Sequence, residues 1–269
     1  MAAMTKTNDF AGKWALVTGA SSGIGAALAR RLAARGARLV LTARRRERLE
    51  ALASELGAQG TETRIVAADL NDPAAPQQIF DATEGAGLTV DILINNAGLG
   101  QYGAFCSSPM EQELSQVRVN CEAVVRLSRL FVARMVERRR GWVLIVASTA
   151  SYQPIPYLAT YAATKVFDRF FALSLAAEVA RFGVKVTALC PGPTESEFFE
   201  VAHANAFRSG AQDTFEVARM GIDALARGRR TIIPNAGSRL SAFLVRYVPV
   251  GLITHFIERA ARPKEQMPG

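Results

Sequence analysis

Trp14–Gly25 reads W-A-L-V-T-G-A-S-S-G-I-G, and the order of its residue types decides the fold. Trp14–Thr18 is a short apolar run bounded by Gly12-Lys13 on one side and by glycines on the other, which predicts a buried strand. Gly23–Gly36 continues as a helix in which Ile24, Leu28 and Leu32 stand four residues apart. A strand that feeds a glycine turn and then a helix N-terminus builds an anion cradle, because unsatisfied backbone N–H groups and the positive end of the helix dipole converge there. The spacing is G-x-x-x-G-x-G, at Gly19, Gly23 and Gly25, with Ser21, Ser22 and Ile24 between. Alone, such a loop is equally a tight turn needing positive φ or close packing. A second strand directly beyond, Arg38–Thr42, favours the phosphate reading. The succession strand, helix, strand opens an α/β fold: a doubly wound parallel sheet in three layers.

A second stretch, Ser148–Lys165, carries the candidate chemistry. Tyr161 and Lys165 lie four apart at the start of a helical pattern, so both side chains leave one helix face. A cation beside a phenol favours the phenolate and makes the proton easier to exchange near neutral pH. Ser148 ends an apolar run and is placed to hydrogen-bond the same substrate oxygen. By itself a Y-x-x-x-K pattern is no more than a buried tyrosine and an exposed lysine. With Thr18–Gly25 and Asn95-Asn96-Ala97-Gly98 in the same chain, Ser148, Tyr161 and Lys165 resemble the short-chain dehydrogenase/reductase family, in order, from about Gly12 to Pro234.

The resemblance implies a single Rossmann-type domain over residues 1–269 with strand order 3-2-1-4-5-6-7. It implies hydride transfer between a nicotinamide and a carbonyl/alcohol pair. Ser148, Tyr161 and Lys165 would be catalytic, with Lys165 also reaching the nicotinamide ribose. Asn120, polar on a helical stripe with Val117, Val124 and Leu127, would anchor a water in the proton path; otherwise it is a satisfied buried amide. Asp69-Leu70, after a strand at Arg64–Ala68, would lie against an adenine ring. Pro191, Gly192 and Thr194 resemble the family's turn beside the nicotinamide, and Ser196 keeps a hydroxyl where relatives carry threonine. Asn95, Ala97 and Gly98 read as cofactor support: small residues admit a close ribose and amides tie neighbouring strands. The chain is expected to form a homodimer or homotetramer.

The cofactor is legible after the second strand. Leu41-Thr42-Ala43-Arg44-Arg45-Arg46 puts a small residue where an acid would hold a free ribose 2′-hydroxyl, with a guanidinium directly after it. Arginine forks suit a phosphate dianion, so NADP(H) is favoured over NAD(H). That reading rests on Arg44, with help from Arg45 or Arg48 and the hydroxyls of Ser21 and Ser22. The competing one has these arginines only opening a solvated helix.

A chain of 269 residues, 49% hydrophobic and 21% charged, is large enough for a full core. Its net charge of +8 permits nucleic-acid or anionic-lipid contact, but the arginines are scattered through helical patterns and no nucleic-acid partner is expected. Cys106, Cys121 and Cys190 lack C-x-x-C spacing and suit a reducing, cytoplasmic setting. Met1–Phe10 is polar and does not read as a secretory signal. No apolar run reaches the roughly 20 residues that span a bilayer. With only His203 and His255 and no ligand spacing, neither a metal site nor a Ser-His-Asp hydrolase is supported.

Residues from about 192 to 227 are expected to hold a lid, with Phe198, Phe199, Val201 and Phe207 over the substrate, although Phe215–Arg227 reads as a helix. The 236–269 tail puts Leu240, Leu244 and Tyr247 on one helix face and resumes with Leu252, Phe256 and Ile257 after Pro249 and Gly251. It would pack on the protein itself, cover substrate, meet a sister subunit or touch a membrane peripherally. These aromatics hint at an apolar or bulky substrate. The alternative from another class is an NADP-binding regulatory or scaffold protein without turnover.

Overall fold

The computed structural model describes residues 9–204, 207 and 210–263. Seven parallel strands form one sheet in the order β3-β2-β1-β4-β5-β6-β7. They are β1 (Trp14–Thr18), β2 (Arg38–Thr42), β3 (Thr63–Ile65), β4 (Val90–Asn95), β5 (Gly141–Val146), β6 (Val184–Leu189) and β7 (Thr231–Ile232). The helices are α1 (Gly23–Ala33), α2 (Arg46–Ala58), α3 (Ala75–Asp81), α4 (Met110–Val117), α5 (Ala123–Glu137), α6 (Ala159–Val179), α7 (Phe198–Val201), α8 (Thr214–Ala226), α9 (Ala236–Leu244) and α10 (Val250–Ala261).

The strands read as near-continuous apolar runs because a parallel sheet is covered on both faces. Alternation along them sorts two cores. Leu16, Val40, Leu93, Val143 and Ile145 face α5 and α6, while Val17, Leu39, Leu41, Ile94 and Leu144 face α1, α2 and α8. Phe10, in the stretch read as polar, is fully buried in the second core and meets the Trp142 ring edge-on at 5.6 Å.

Two expectations change, for the stripe through Asn120 and for the lid. The stripe of Val117, Asn120, Val124 and Leu127 does not lie on one uniform helix: a π-helical turn at Arg118–Glu122 separates α4 from α5. The wider turn breaks the 3.6-residue phase, so Asn120, Val124 and Leu127 stay buried while Val117 turns outward. On α6 the small residues Ala162, Ala172 and Ala176 face inward, and Phe167 and Phe170 are exposed. Finally, α8 is no part of a lid, since Val217, Ala218, Ile222 and Leu225 are buried in the second core. A bridge from Thr194 to Gln212 closes the loop before it.

Candidate active site

The order of the sheet reverses between β1 and β4, and ligands of open α/β sheets gather at the carboxyl ends beside such a point. A cleft of about 560 Å³ opens there. Its floor is made of the loops that leave the strands: Gly19–Gly25 after β1, Thr42–Arg45 after β2, Asp69-Leu70, Asn96–Gly100, Ala147–Ala150 and Pro191–Thr194.

The glycine turn is held by side-chain bonds that continue the sheet past its last ladder rung. Thr18 Oγ1 donates to Ile94 O and accepts from the N–H groups of Asn96 and Ala97, at 3.0–3.1 Å. Asn96 Nδ2 donates to Thr18 O at 2.9 Å. Gly25 has no alternative in this arrangement, because a Cβ there would stand 2.2 Å from Gly19 O and 2.5 Å from Asn96 Nδ2. The first turn of α1 is thereby pressed against the loop, with its free N–H groups facing the cleft.

Of the residues assigned to the cofactor, Gly19, Ser21, Ser22, Gly23, Ile24, Gly25, Arg44, Asp69, Leu70, Ala97, Gly98, Tyr161, Lys165, Pro191, Gly192, Thr194 and Ser196 all line this cleft. Asn95 does not; its buried amide donates to Ser128 Oγ at 3.1 Å, behind the sheet edge. The alternation of a strand turns Asn95 away and brings Asn96 to the cleft instead. Arg44 is exposed and has no hydrogen-bond partner among the described residues. Arg45 is the organised guanidinium: its Nη2 donates to Ser21 Oγ at 3.2 Å and Ser22 Oγ at 3.1 Å.

Ser148, Tyr161 and Lys165 come together in the same cleft. Ser148 caps the turn Thr149–Tyr152, its Oγ accepting from Ala150 N at 3.1 Å; the contact to Pro191 O is long, at 3.5 Å. Lys165 Nζ lies 5.9 Å from the Tyr161 ring centre. It is buried and donates to Val146 O and to Asp168 Oδ2, both at 2.9 Å. Burial works against this ammonium, but the Asp168 carboxylate, with Tyr161 adding to it, holds Lys165 above its ordinary value. Burial raises Asp168 as well, against the opposing pull of Lys165. Asp168 belongs to no motif in the sequence, although its place one helical turn after Lys165 is visible there.

Asn120 does not line the cleft. Its Oδ1 accepts from Leu99 N at 2.8 Å, and its Nδ2 donates to Leu99 O and Thr164 Oγ1, both at 2.9 Å. The amide is satisfied and clamps the loop after β4 to α6. This is the bland alternative for that residue, and the π turn is what swings it inward.

The roof is aromatic. Phe198 packs 5.1 Å from the Tyr161 ring, over Gly100, where a Cβ would collide with the Phe198 ring at 2.5 Å. Phe199, Ala202 and Ala204 form a small buried cluster with Tyr102 and Phe207. The tail reaches the cleft through Ile257 and is tied to its rim by two phenols: Tyr102 OH donates to Ala261 O at 2.7 Å and Tyr157 OH to Glu258 Oε1 at 2.8 Å. Most of the tail's other large apolar side chains, including Leu240, Phe243, Tyr247 and Phe256, are exposed. Packing on the body is thus confined to a few residues such as Ala242 and Ala261. Among the described residues no helix is long and apolar enough to cross a membrane.

A phosphate cradle beside a serine, a tyrosine and a buried lysine defines a class, the nucleotide-dependent oxidoreductases built on a doubly wound sheet. The family model for short chain dehydrogenases matches residues 13–206, and the chain belongs to that family. It is an oxidoreductase acting on CH–OH/C=O groups. A short chain dehydrogenase of Pseudocercospora fijiensis is 37% identical over 188 residues, 69% of this chain and 61% of that protein. A 1-deoxy-11-beta-hydroxypentalenate dehydrogenase of Streptomyces avermitilis is 36% identical over 230 residues, 84% of this chain and 85% of that one. The chain therefore spans less than two thirds of the length of some curated relatives. Among solved structures, a Sphingobium yanoikuyae short-chain dehydrogenase in complex with NADPH superposes with TM-score 0.80 at 29% identity, over 95% of this chain and 98% of that one. A Burkholderia phymatum relative in complex with NAD gives 0.82 at 25%, over 97% and 99%.

Proposed function

We propose that the chain is an NADP(H)-dependent ketone or aldehyde reductase for an apolar or bulky carbonyl compound. The observation that carries this is one cleft lined both by Ser148, Tyr161 and Lys165 and by the glycine cradle with arginines, and no acid, directly after β2. The cradle fits a dinucleotide: Gly19, Gly23, Ile24 and Gly25 line the cleft where α1 begins, and Arg44, Arg45, Ser21 and Ser22 offer donors for a 2′-phosphate.

When bound, the nicotinamide supplies the hydride for the carbonyl carbon. Tyr161 donates its phenolic proton to the developing alkoxide. Ser148 holds that oxygen: the Ala150 N–H fixes Oγ, and its hydroxyl hydrogen, donated only over a long 3.5 Å to Pro191 O, turns to the substrate. Lys165, with Nζ 5.9 Å from the Tyr161 ring centre, sets a positive charge beside the reacting oxygen, and Asp168 holds that ammonium in position. Phe198, Phe199, Val201, Phe207 and Ile257 exclude water and favour an apolar substrate.

Exposed Phe167 and Phe170 on α6, with Leu114, Val117 and Val125 on α4–α5, support a homodimer or homotetramer through that face, tested by light scattering. The three free thiols support a cytoplasmic setting. Ile257 in the cleft lining supports the tail as a wall of the substrate site, and its exposed apolar side chains leave peripheral membrane contact as the second reading.

The test is NADPH oxidation with a panel of ketones and aldehydes, comparing Tyr161→Phe with the parent. Turnover by the parent that falls at least a hundredfold in the variant, with NADPH still bound, is expected. Binding without turnover across the panel would replace this reading with the scaffold one.

A further inference from the structure

Glu197 stands immediately before α7, on the lid side of the cleft. Its carboxylate spans to the opposite bank. Oε2 accepts from Arg45 Nη1 and Nη2, at 3.0 Å each, and Oε1 accepts from Arg48 Nη1. Arg45 in turn donates to the hydroxyls of Ser21 and Ser22. Two guanidinium groups thus gather around one anion, one of them also held by two serine hydroxyls, and that anion belongs to the chain.

This donor set suits a phosphate better than a carboxylate. A phosphate monoester carries nearly two charges and three acceptor oxygens, whereas Glu197 brings one charge and two. The hydrogen bond from Arg48 chiefly, against some opposition from burial and with Arg45 adding to it, holds the Glu197 carboxyl below its usual range, so it is ionised at neutral pH. The side chains of Arg45, Arg48 and Glu197 are 40%, 44% and 38% exposed, so the latch is solvent-screened and exchangeable rather than locked.

We propose that Glu197 is a specificity-determining residue: an internal competitor for the 2′-phosphate that occupies Arg45 and Arg48 until a phosphate displaces it, and that a free 2′-hydroxyl does not displace. The proposal rests on the NADP(H) reading above. It makes apparent affinity for the phosphorylated cofactor the intrinsic affinity reduced by the fraction of chains in which the arginines are free. Because Phe198 follows Glu197 and packs on Tyr161, the cofactor's adenosine end and the roof over the reacting centre share one stretch of backbone.

The test is equilibrium binding to the full chain of NADPH, NADH and adenosine 2′,5′-bisphosphate, for the parent, Glu197→Gln, Glu197→Ala and Arg45→Ala. Both Glu197 variants are expected to bind NADPH and the bisphosphate about tenfold more tightly, with NADH changed less than twofold. If the parent prefers NADPH, Arg45→Ala loses that preference and the Glu197 variants match the parent, the competitor role is overturned while the cofactor reading stands. If parent and Arg45→Ala bind NADPH and NADH alike, the cofactor reading fails and takes this proposal with it.

Discussion

Asp168→Asn separates charge from shape at the most buried ion pair of the site. The Lys165 and Asp168 side chains are only 5% and 1% exposed, and Nζ and Oδ2 stand 2.9 Å apart. Asparagine keeps the volume and an acceptor oxygen but leaves the ammonium without a countercharge. Removing one partner of a buried pair costs roughly 3–5 kcal/mol; since Val146 O still accepts from Nζ, the lower end applies. That is a large share of the roughly 5–15 kcal/mol that holds a domain folded. Urea unfolding at pH 7 reads it as a fall in midpoint with the slope unchanged. The pH dependence has a defined sign. Lys165 is held above its unfolded value, so its stabilising share is complete below about pH 10.4 and is lost as pH rises through the folded value. The variant lowers that folded value and brings alkaline unfolding to lower pH. A Lys165→Met, Asp168→Leu double variant, apolar on both sides, should return to within about 1 kcal/mol of the parent. A cost below about 1 kcal/mol for Asp168→Asn at pH 7 would refute the argument, because Asp168 would then already be a neutral acid.

Gly25→Ala forces a methyl into the carbonyl of Gly19, so it should lower the thermal midpoint by an amount equivalent to about 1–3 kcal/mol and weaken NADPH binding at least tenfold, read by melting and titration. Phe198→Ala unroofs Tyr161, and KM for bulky ketones should rise severalfold with cofactor affinity held, in steady-state assays. Thiol labelling near pH 7 followed by mass spectrometry should find Cys106 modified, because it is exposed. Cys121 and Cys190, pushed up to about 12 and about 11 chiefly by burial, should stay unmodified in the folded chain.

β1 and β2 were legible as short apolar runs beside glycines and have the bounds that the sequence suggested, whereas the third strand, expected at Arg64–Ala68, runs over Thr63–Ile65, where only one residue in three is apolar. The cleft was legible because every segment lining its floor comes after a strand. What escaped was non-local or aperiodic. The π turn at Arg118–Glu122 has no residue signature, yet it decides that Asn120 points inward and Val117 outward. The meeting of Arg45 and Glu197 joins residues 152 apart and exists only once the lid lies over β2. Arg44 drew the sequence argument because it comes first, and the neighbour one step on is the one that turns to Ser21 and Ser22. Lid and core helix could not be divided by composition, since Phe198 and Phe199 resemble Phe215 and Val217 until packing separates them.

The tail touches the catalytic half of the molecule at few points, among them two tyrosine hydroxyls, Ile257 and the buried Ala242 and Ala261. A wall fastened at so few points is separable from the floor where bonds are made and broken. On the proposed reading of the tail as a wall of the substrate site, grafting a different terminal segment onto Tyr102 and Tyr157 would change which molecules enter without asking the sheet to refold.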